Sequence, residues 1–374
     1  MTQTAALFLD AYRELNARKM FWITLILSGL VVLAFALIGI TETGLKIIIW
    51  DIDIDAFNTG IMSREYFYKS MFSSFGINFW LSWLATILAL VSTAGIFPEF
   101  ISGGSIDLVL AKPIGRLRLF ITKYATGLLF VTLQVSVFTF ACFLVIGFRG
   151  GVWEPALLLA IPLVVIFFSY LYSVCVLLGL LTRSTIAALL LTMLFWFVLF
   201  GIHTTESAVM GIQLMKQQQV ESLENSITRD EAKLDRFAAS DEKTDQSIIT
   251  PIETRLEKNR KKREDQNATL ATLDTVHTYA MAVKTALPKT TETITLLDRW
   301  LINLAELPSM PTAPNAGSGN NAQGPPGVED PEKFRNDLMA EIQGRSVFWI
   351  IGTSLLFELA ILTLAARIFT RRDF

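Results

Sequence analysis

The sequence predicts an all-α polytopic membrane protein with six transmembrane helices, and three observations predict it. The chain of 374 residues is 52% hydrophobic and only 18% charged, too apolar for an ordinary soluble domain. Six stretches, residues 20–40, 79–97, 119–148, 156–181, 184–202 and 346–369, approach or exceed the run of about 20 apolar residues that crosses a hydrocarbon layer. The charges, which nearly cancel to a net −2, are segregated between these runs rather than spread along the chain.

Ahead of the first span, Ala5, Leu7, Phe8, Ala11, Tyr12 and Leu15 recur at helical spacing, so residues 1–19 are expected to form an interfacial helix. A cleaved signal peptide is the competing reading, since Arg18 and Lys19 precede the run and Ala34-Phe35-Ala36 resembles a cleavage site. The apolar run continues to Ile40 and its leader is long, which favours retention. The third and fourth spans have length to spare for tilting. The fourth and fifth are divided only by Thr182-Arg183-Ser184, a tight helical hairpin.

Lysine and arginine in short flanking segments stay on the cytoplasmic side. One set of segments carries Arg13, Arg18, Lys19, Lys112, Arg116, Arg118, Lys123, Arg183, Arg367, Arg371 and Arg372. The other carries Lys46, Arg64, Lys69 and Arg149 beside Asp51, Asp53, Asp55 and Glu154. Both termini are therefore expected in the cytoplasm, with residues 203–345 outside. The basic run from Lys258 to Arg263 in that outer segment reads as a solvated helical face rather than a nucleic-acid patch.

Within the outer segment, residues 206–240 are polar and helix-prone, with Val220, Leu223, Ile227, Leu234 and Phe237 near heptad spacing and Asp230 interrupting the seam. A second helix is expected over 251–286, with Ile252, Leu256, Leu270 and Leu273 as its apolar set, Pro251 in its first turn and Pro288 after its end. The pair predicts an antiparallel helical hairpin, with a limited coiled-coil seam. Residues 293–307 carry the stripe Ile294, Leu296, Leu297, Trp300, Leu301 and Leu304, which predicts an amphipathic helix on or partly inside the outer leaflet. Residues 308–331, rich in Pro, Gly, Asn and Ser, predict a linker, and 332–343 a short helix into the last span.

The most informative stretch, within the cytoplasmic loop 98–118, reads Phe97-Pro98-Glu99-Phe100-Ile101-Ser102-Gly103-Gly104-Ser105-Ile106-Asp107-Leu108-Val109-Leu110-Ala111-Lys112-Pro113-Ile114-Gly115-Arg116. Its glycines permit a tight turn, its short apolar clusters suit a helix lying at the membrane surface, and Pro113 ends that helix ahead of Arg116. Glu99, Gly104, Ile106, Asp107, Leu108, Leu110, Lys112, Pro113, Ile114 and Arg116 together resemble the intracellular-loop signature of the ABC-type 2 permeases, the type V exporters. The order of elements from the N-terminal helix through six spans is similar too. Ser105 in place of the usual Thr, a single upstream acid and a much enlarged outer segment between spans five and six are departures.

The resemblance implies a permease subunit in the bacterial cytoplasmic membrane, paired with a second copy or a paralogue. A cytoplasmic ATP-binding-cassette ATPase dimer would dock beneath it, with Glu99, Gly104, Asp107, Lys112, Pro113 and Arg116 in the coupling loop. The chain has no phosphate-binding Gly-x-x-x-x-Gly-Lys-Ser/Thr motif, so ATP and magnesium would sit on the partner. No cofactor, catalytic residue or metal site is expected on this chain. Further expected contacts are membrane lipid and an extracytoplasmic partner for the outer segment. The alternative is a non-transporting scaffold or sensor whose outer helices bind that partner. An intramembrane protease is disfavoured, because Gly103-Gly104-Ser105 has no histidine near it.

Glu358 falls in the middle of the last span, where a carboxylate costs about 2.5–3.5 kcal/mol to insert. It is a candidate for the transport pathway, with Gln134 in span three as a candidate partner, or else a protonated packing residue. His203 and His277, the only histidines, are expected at an interface and in solvent, without a metal. Cys142 and Cys175 lie in apolar runs and are expected to pack as small hydrophobes.

Overall fold

The computed structural model describes residues 19–42, 44–47, 50–53, 59, 63–102, 115–239, 246–301 and 330–371. The expected interfacial helix, the linker, and Gly104, Asp107, Lys112 and Pro113 lie outside the described residues. The described chain is almost wholly helical, and six of its helices are long and apolar enough to cross a membrane. In order these are α1 (Lys19–Leu37), α2 (Arg64–Ile101), α3 (Arg116–Gly150), α4 (Pro155–Thr182), α5 (Thr185–Ala239) and, last in the chain, α9 (Val347–Arg371). Between them fall α6 (Gln246–Ala286), α7 (Thr290–Leu301) and α8 (Pro331–Gly344).

Two compact units divide the chain: residues 1–200, 286–311 and 347–374 form one, and residues 201–285 with 312–346 the other. In the first, α4 is the central post. Both sides of it are covered, so Phe168, Tyr170, Leu171, Tyr172 and Leu180 are fully buried. Helices α1 and α5 instead leave Ile26, Leu30, Ile186, Leu190 and Phe197 exposed, apolar faces suited to lipid.

The ends of this bundle are defined by contacts. At one end Arg149 donates to the carbonyl of Ala36 at 2.6 Å, Tyr68 donates to that of Ile38 at 3.0 Å, and Lys69 pairs with Glu65 and Glu154. At the other, Phe97, Phe120 and Phe369 pack ring to ring and Arg116 donates to the carbonyl of Thr370 at 3.2 Å. The tight turn between α4 and α5 closes there with Arg183 in the left-handed region at φ 53°. The basic residues Arg116, Arg118, Lys123, Arg183, Arg367 and Arg371 thus collect at that end.

Several expectations are corrected. The second span begins at Arg64, fifteen residues early, because Lys69 enters the helix neutralised by its two glutamates. Its stretch Phe72–Ala85 is wound as a wide π-helix, and Ser82 and Thr86 donate to carbonyls five residues back. The segment between α1 and α2 carries an antiparallel three-stranded sheet that an all-α reading does not foresee, β1 (Ile38–Ile40), β2 (Gly44–Ile47) and β3 (Trp50–Asp53), in the order β1-β2-β3. Helix α7 does not lie on a surface. Leu296 and Leu297 are buried, and so are the polar Thr290, Glu292 and Thr293, because α7 packs into the bundle against α4, α2 and α9.

The second unit is helical. Helix α5 runs without a break from its apolar first half into this unit, so no separate helix starts near residue 206. Here it pairs with α6 through Gln219 and Gln266 at 3.0 Å and through Glu231 and Arg260 at 2.6 Å. As one number rises the other falls, so the two helices run antiparallel. Leu223, Ile227 and Leu256 are buried between them, and Asp230 occupies the next seam position, buried and 3.5 Å from Lys233. Helix α6 begins at Gln246, which places Pro251 inside the helix rather than in its first turn. Helix α8 is capped by Asp330, whose carboxylate accepts from the amides of Glu332 and Lys333, and it joins α5 through Lys333 and Glu221 at 2.5 Å.

Candidate functional site

Three groups of side chains carry chemistry, and the first frames the loop singled out by its sequence. Of the coupling-loop candidates, Glu99 and Arg116 are described. Glu99 is exposed on the last turns of α2, its carboxylate lying over Gly95. Arg116 opens α3 and is tied to the end of α9. Pro98 packs against Gly179 near the end of α4, where a Cβ would lie 3.2 Å from the proline ring. Lys123 stands over the Phe100 ring at 5.2 Å. The two ends of the loop are therefore fastened to α3, α4 and α9 together, so that a push on the loop bears on several spans at once.

The second group lies within the bundle. Glu358 of α9 is 8% exposed, and its two oxygens accept from the hydroxyls of Tyr124 in α3 and Ser169 in α4, each at 2.8 Å. Tyr124 stacks on Tyr172 with centroids 5.1 Å apart, and Tyr172 presses on Gly127, where a Cβ would sit 2.4 Å from the phenol oxygen. Gln134 does not join this group. It donates to the carbonyl of Phe21 at 3.4 Å and lines a cavity of about 10 Å³ with Thr24, Ser28 and Thr86. The proposed Glu358–Gln134 pairing is thus replaced by Tyr124 and Ser169, for which a Tyr and a Ser inside apolar runs were the available signal.

One turn before Glu358, Ser354 accepts from the amide of Lys289 at 2.9 Å, and the Lys289 ammonium donates to Thr353 at 2.5 Å and lies 4.3 Å above the Trp349 ring. These bonds hold the start of α7 against α9, and they satisfy polar groups that would otherwise be costly to bury.

The third group is in the second unit. Glu206 has no solvent exposure; it accepts from Lys284 at 2.6 Å and from Arg345, and His277 Nε2 lies 3.5 Å away. His203 Nδ1 is 3.3 Å from Lys284. Both histidines, each partly exposed, border this ion-paired cluster. Burial pushes the Glu206 carboxyl up, but the hydrogen bonds from Arg345 and Lys284 outweigh it and hold the group below the usual carboxylate range. The cluster joins α5, α6 and the residue that follows α8. Nothing local in the sequence signals it, because Glu206 and Arg345 are 139 positions apart.

Comparison with protein families, with characterised proteins and with solved structures gave no match.

Proposed function

We propose that the chain is the membrane-spanning permease subunit of an ATP-binding-cassette exporter, acting as a pair of permease chains on ATP hydrolysed by a separate subunit. The observation that carries this reading is the anchoring of the loop between α2 and α3. Arg116 is bonded to the end of α9, Pro98 is seated on α4, and Phe97, Phe120 and Phe369 lock three helices together. A docked ATPase that moved this loop would move α2, α3 and α9 as one body, which is what vectorial coupling needs. The basic residues collected at the same end fit a cytoplasmic face, with both termini inside. The helices of the second unit would then stand outside as an enlarged helical hairpin.

The test is co-purification with an ATP-binding-cassette ATPase, followed by ATP-driven transport in sealed vesicles. Charge reversal at Asp107, Lys112 or Arg116 is expected to abolish the coupled activity while leaving membrane insertion intact. Failure to recruit an ATPase, together with full function in all three reversed variants, would leave the scaffold reading in its place.

A further inference from the structure

A cleft of about 340 Å³ opens on the side of the first unit, between the small sheet and the start of α2. Its walls are Ile38 and Leu45 from β1 and β2, and Phe67, Met71 and Phe75 from one face of α2, with Ser70 and Ser74 between them. The volume falls within the range of about 300–1,000 Å³ that suits small-molecule sites. Phe67 is buried at its back and Phe75 is 61% exposed at its lip, so the cleft opens away from the bundle.

Its depth is set by its neighbours. Arg64 and Glu65 lie just before it on α2, and Lys69, paired with Glu65, falls within the stretch that lines it. Phe75 at its lip and Phe79 just after it stand exposed, as side chains facing hydrocarbon do. The cleft thus straddles the boundary between headgroup and acyl depth. Two cations flank that boundary. Arg149 is bonded to the Ala36 carbonyl, two residues from Ile38, and both Arg149 and Arg64 act electrostatically on the hydroxyl of Tyr68, next to Phe67.

We propose that this cleft is a lipid site that takes one acyl chain of an anionic phospholipid, whose phosphate meets Arg149 and Arg64. An apolar slot at this depth fits a hydrocarbon chain, and two guanidinium groups beside it select a negative head. The site does not depend on the permease reading, because binding rather than transport reports on it.

Native mass spectrometry of the whole protein, exchanged into phosphatidylglycerol or phosphatidylcholine of identical chains, tests it. The wild type is expected to retain phosphatidylglycerol preferentially, at one molecule per chain, by about tenfold. Arg149→Gln with Arg64→Gln removes the preference, and Ser74→Trp, which fills the slot from an exposed position, lowers retention of both lipids. A phosphatidylglycerol with a photoreactive acyl chain, used on the unaltered protein, is expected to label residues 67–75. Equal retention of the two lipids by the wild type, or labelling spread over other helices with none at 67–75, overturns the proposal.

Discussion

Tyr124 and Glu358 stand 234 positions apart in the chain and 2.8 Å apart in the bundle. The bond joins α3 to α9, and Ser169 joins the same carboxyl to α4. Gln in place of Glu358 keeps an acceptor for one hydroxyl and is expected to preserve folding to within about 1 kcal/mol. Leu in its place leaves two buried hydroxyls without that partner and is expected to cost about 2–4 kcal/mol. Thermal unfolding in detergent reads the difference, and equal stability of the two variants refutes the bridging role.

Gly127 is where this bridge meets its tightest packing. An alanine methyl there would lie 2.4 Å from the Tyr172 oxygen, and Tyr172 is fully buried between Tyr124 and Phe168. Gly127→Ala is therefore expected to destabilise the bundle by about 1–3 kcal/mol, although alanine ordinarily favours a helix. Pairing it with Tyr172→Leu, which removes the phenol oxygen and the ring carbons that would lie 2.5 and 2.7 Å from that methyl, should recover part of the loss. No recovery in the double variant would mean that the clash lies elsewhere.

The apolar runs made the spans legible, because length and lack of charge are local properties. Contacts that need two distant segments were not legible. Lys69 reads in the sequence as part of a connecting segment, yet it lies inside α2, paired with Glu65 and Glu154. The alternation of Asp51, Ile52 and Asp53 carries a strand period, yet three short strands in a helical chain leave too weak a pattern to outweigh the surrounding helices. Ile294 and Leu297 read as one apolar face, but Thr290 and Thr293 are buried as well, the Thr293 hydroxyl donating to the carbonyl of Lys289 in the preceding turn. Of the coupling-loop candidates, the two described ones, Glu99 and Arg116, flank the loop at its anchored ends.

The burial of α7 makes its own prediction. A helix resting at a membrane surface loses little when one leucine is shortened, whereas Leu296 is fully buried in the bundle. Leu296→Ala is expected to cost about 2–5 kcal/mol in detergent unfolding, as for other core leucines. A loss under about 1 kcal/mol would return α7 to the surface.

Glu206 ties α5 to α6 and to Arg345, and its response to pH follows from the sign of its shift. Its carboxyl lies below the usual range in the folded chain, so the unfolded chain binds a proton first as pH falls. The stabilisation is therefore complete above the unfolded value of about 4.3 and is lost as pH falls through the lower folded value. Glu206→Gln removes the shared charge from Lys284 and Arg345, both nearly buried, and is expected to cost about 3 kcal/mol at neutral pH. That variant should also lose this part of the acid dependence, so the gap between the two proteins narrows below pH 4. Hydrogen exchange of the amides in residues 206–285, followed between pH 7 and pH 3, measures both effects on the second unit alone. A gap that stays constant across that range would show that Glu206 contributes packing rather than charge.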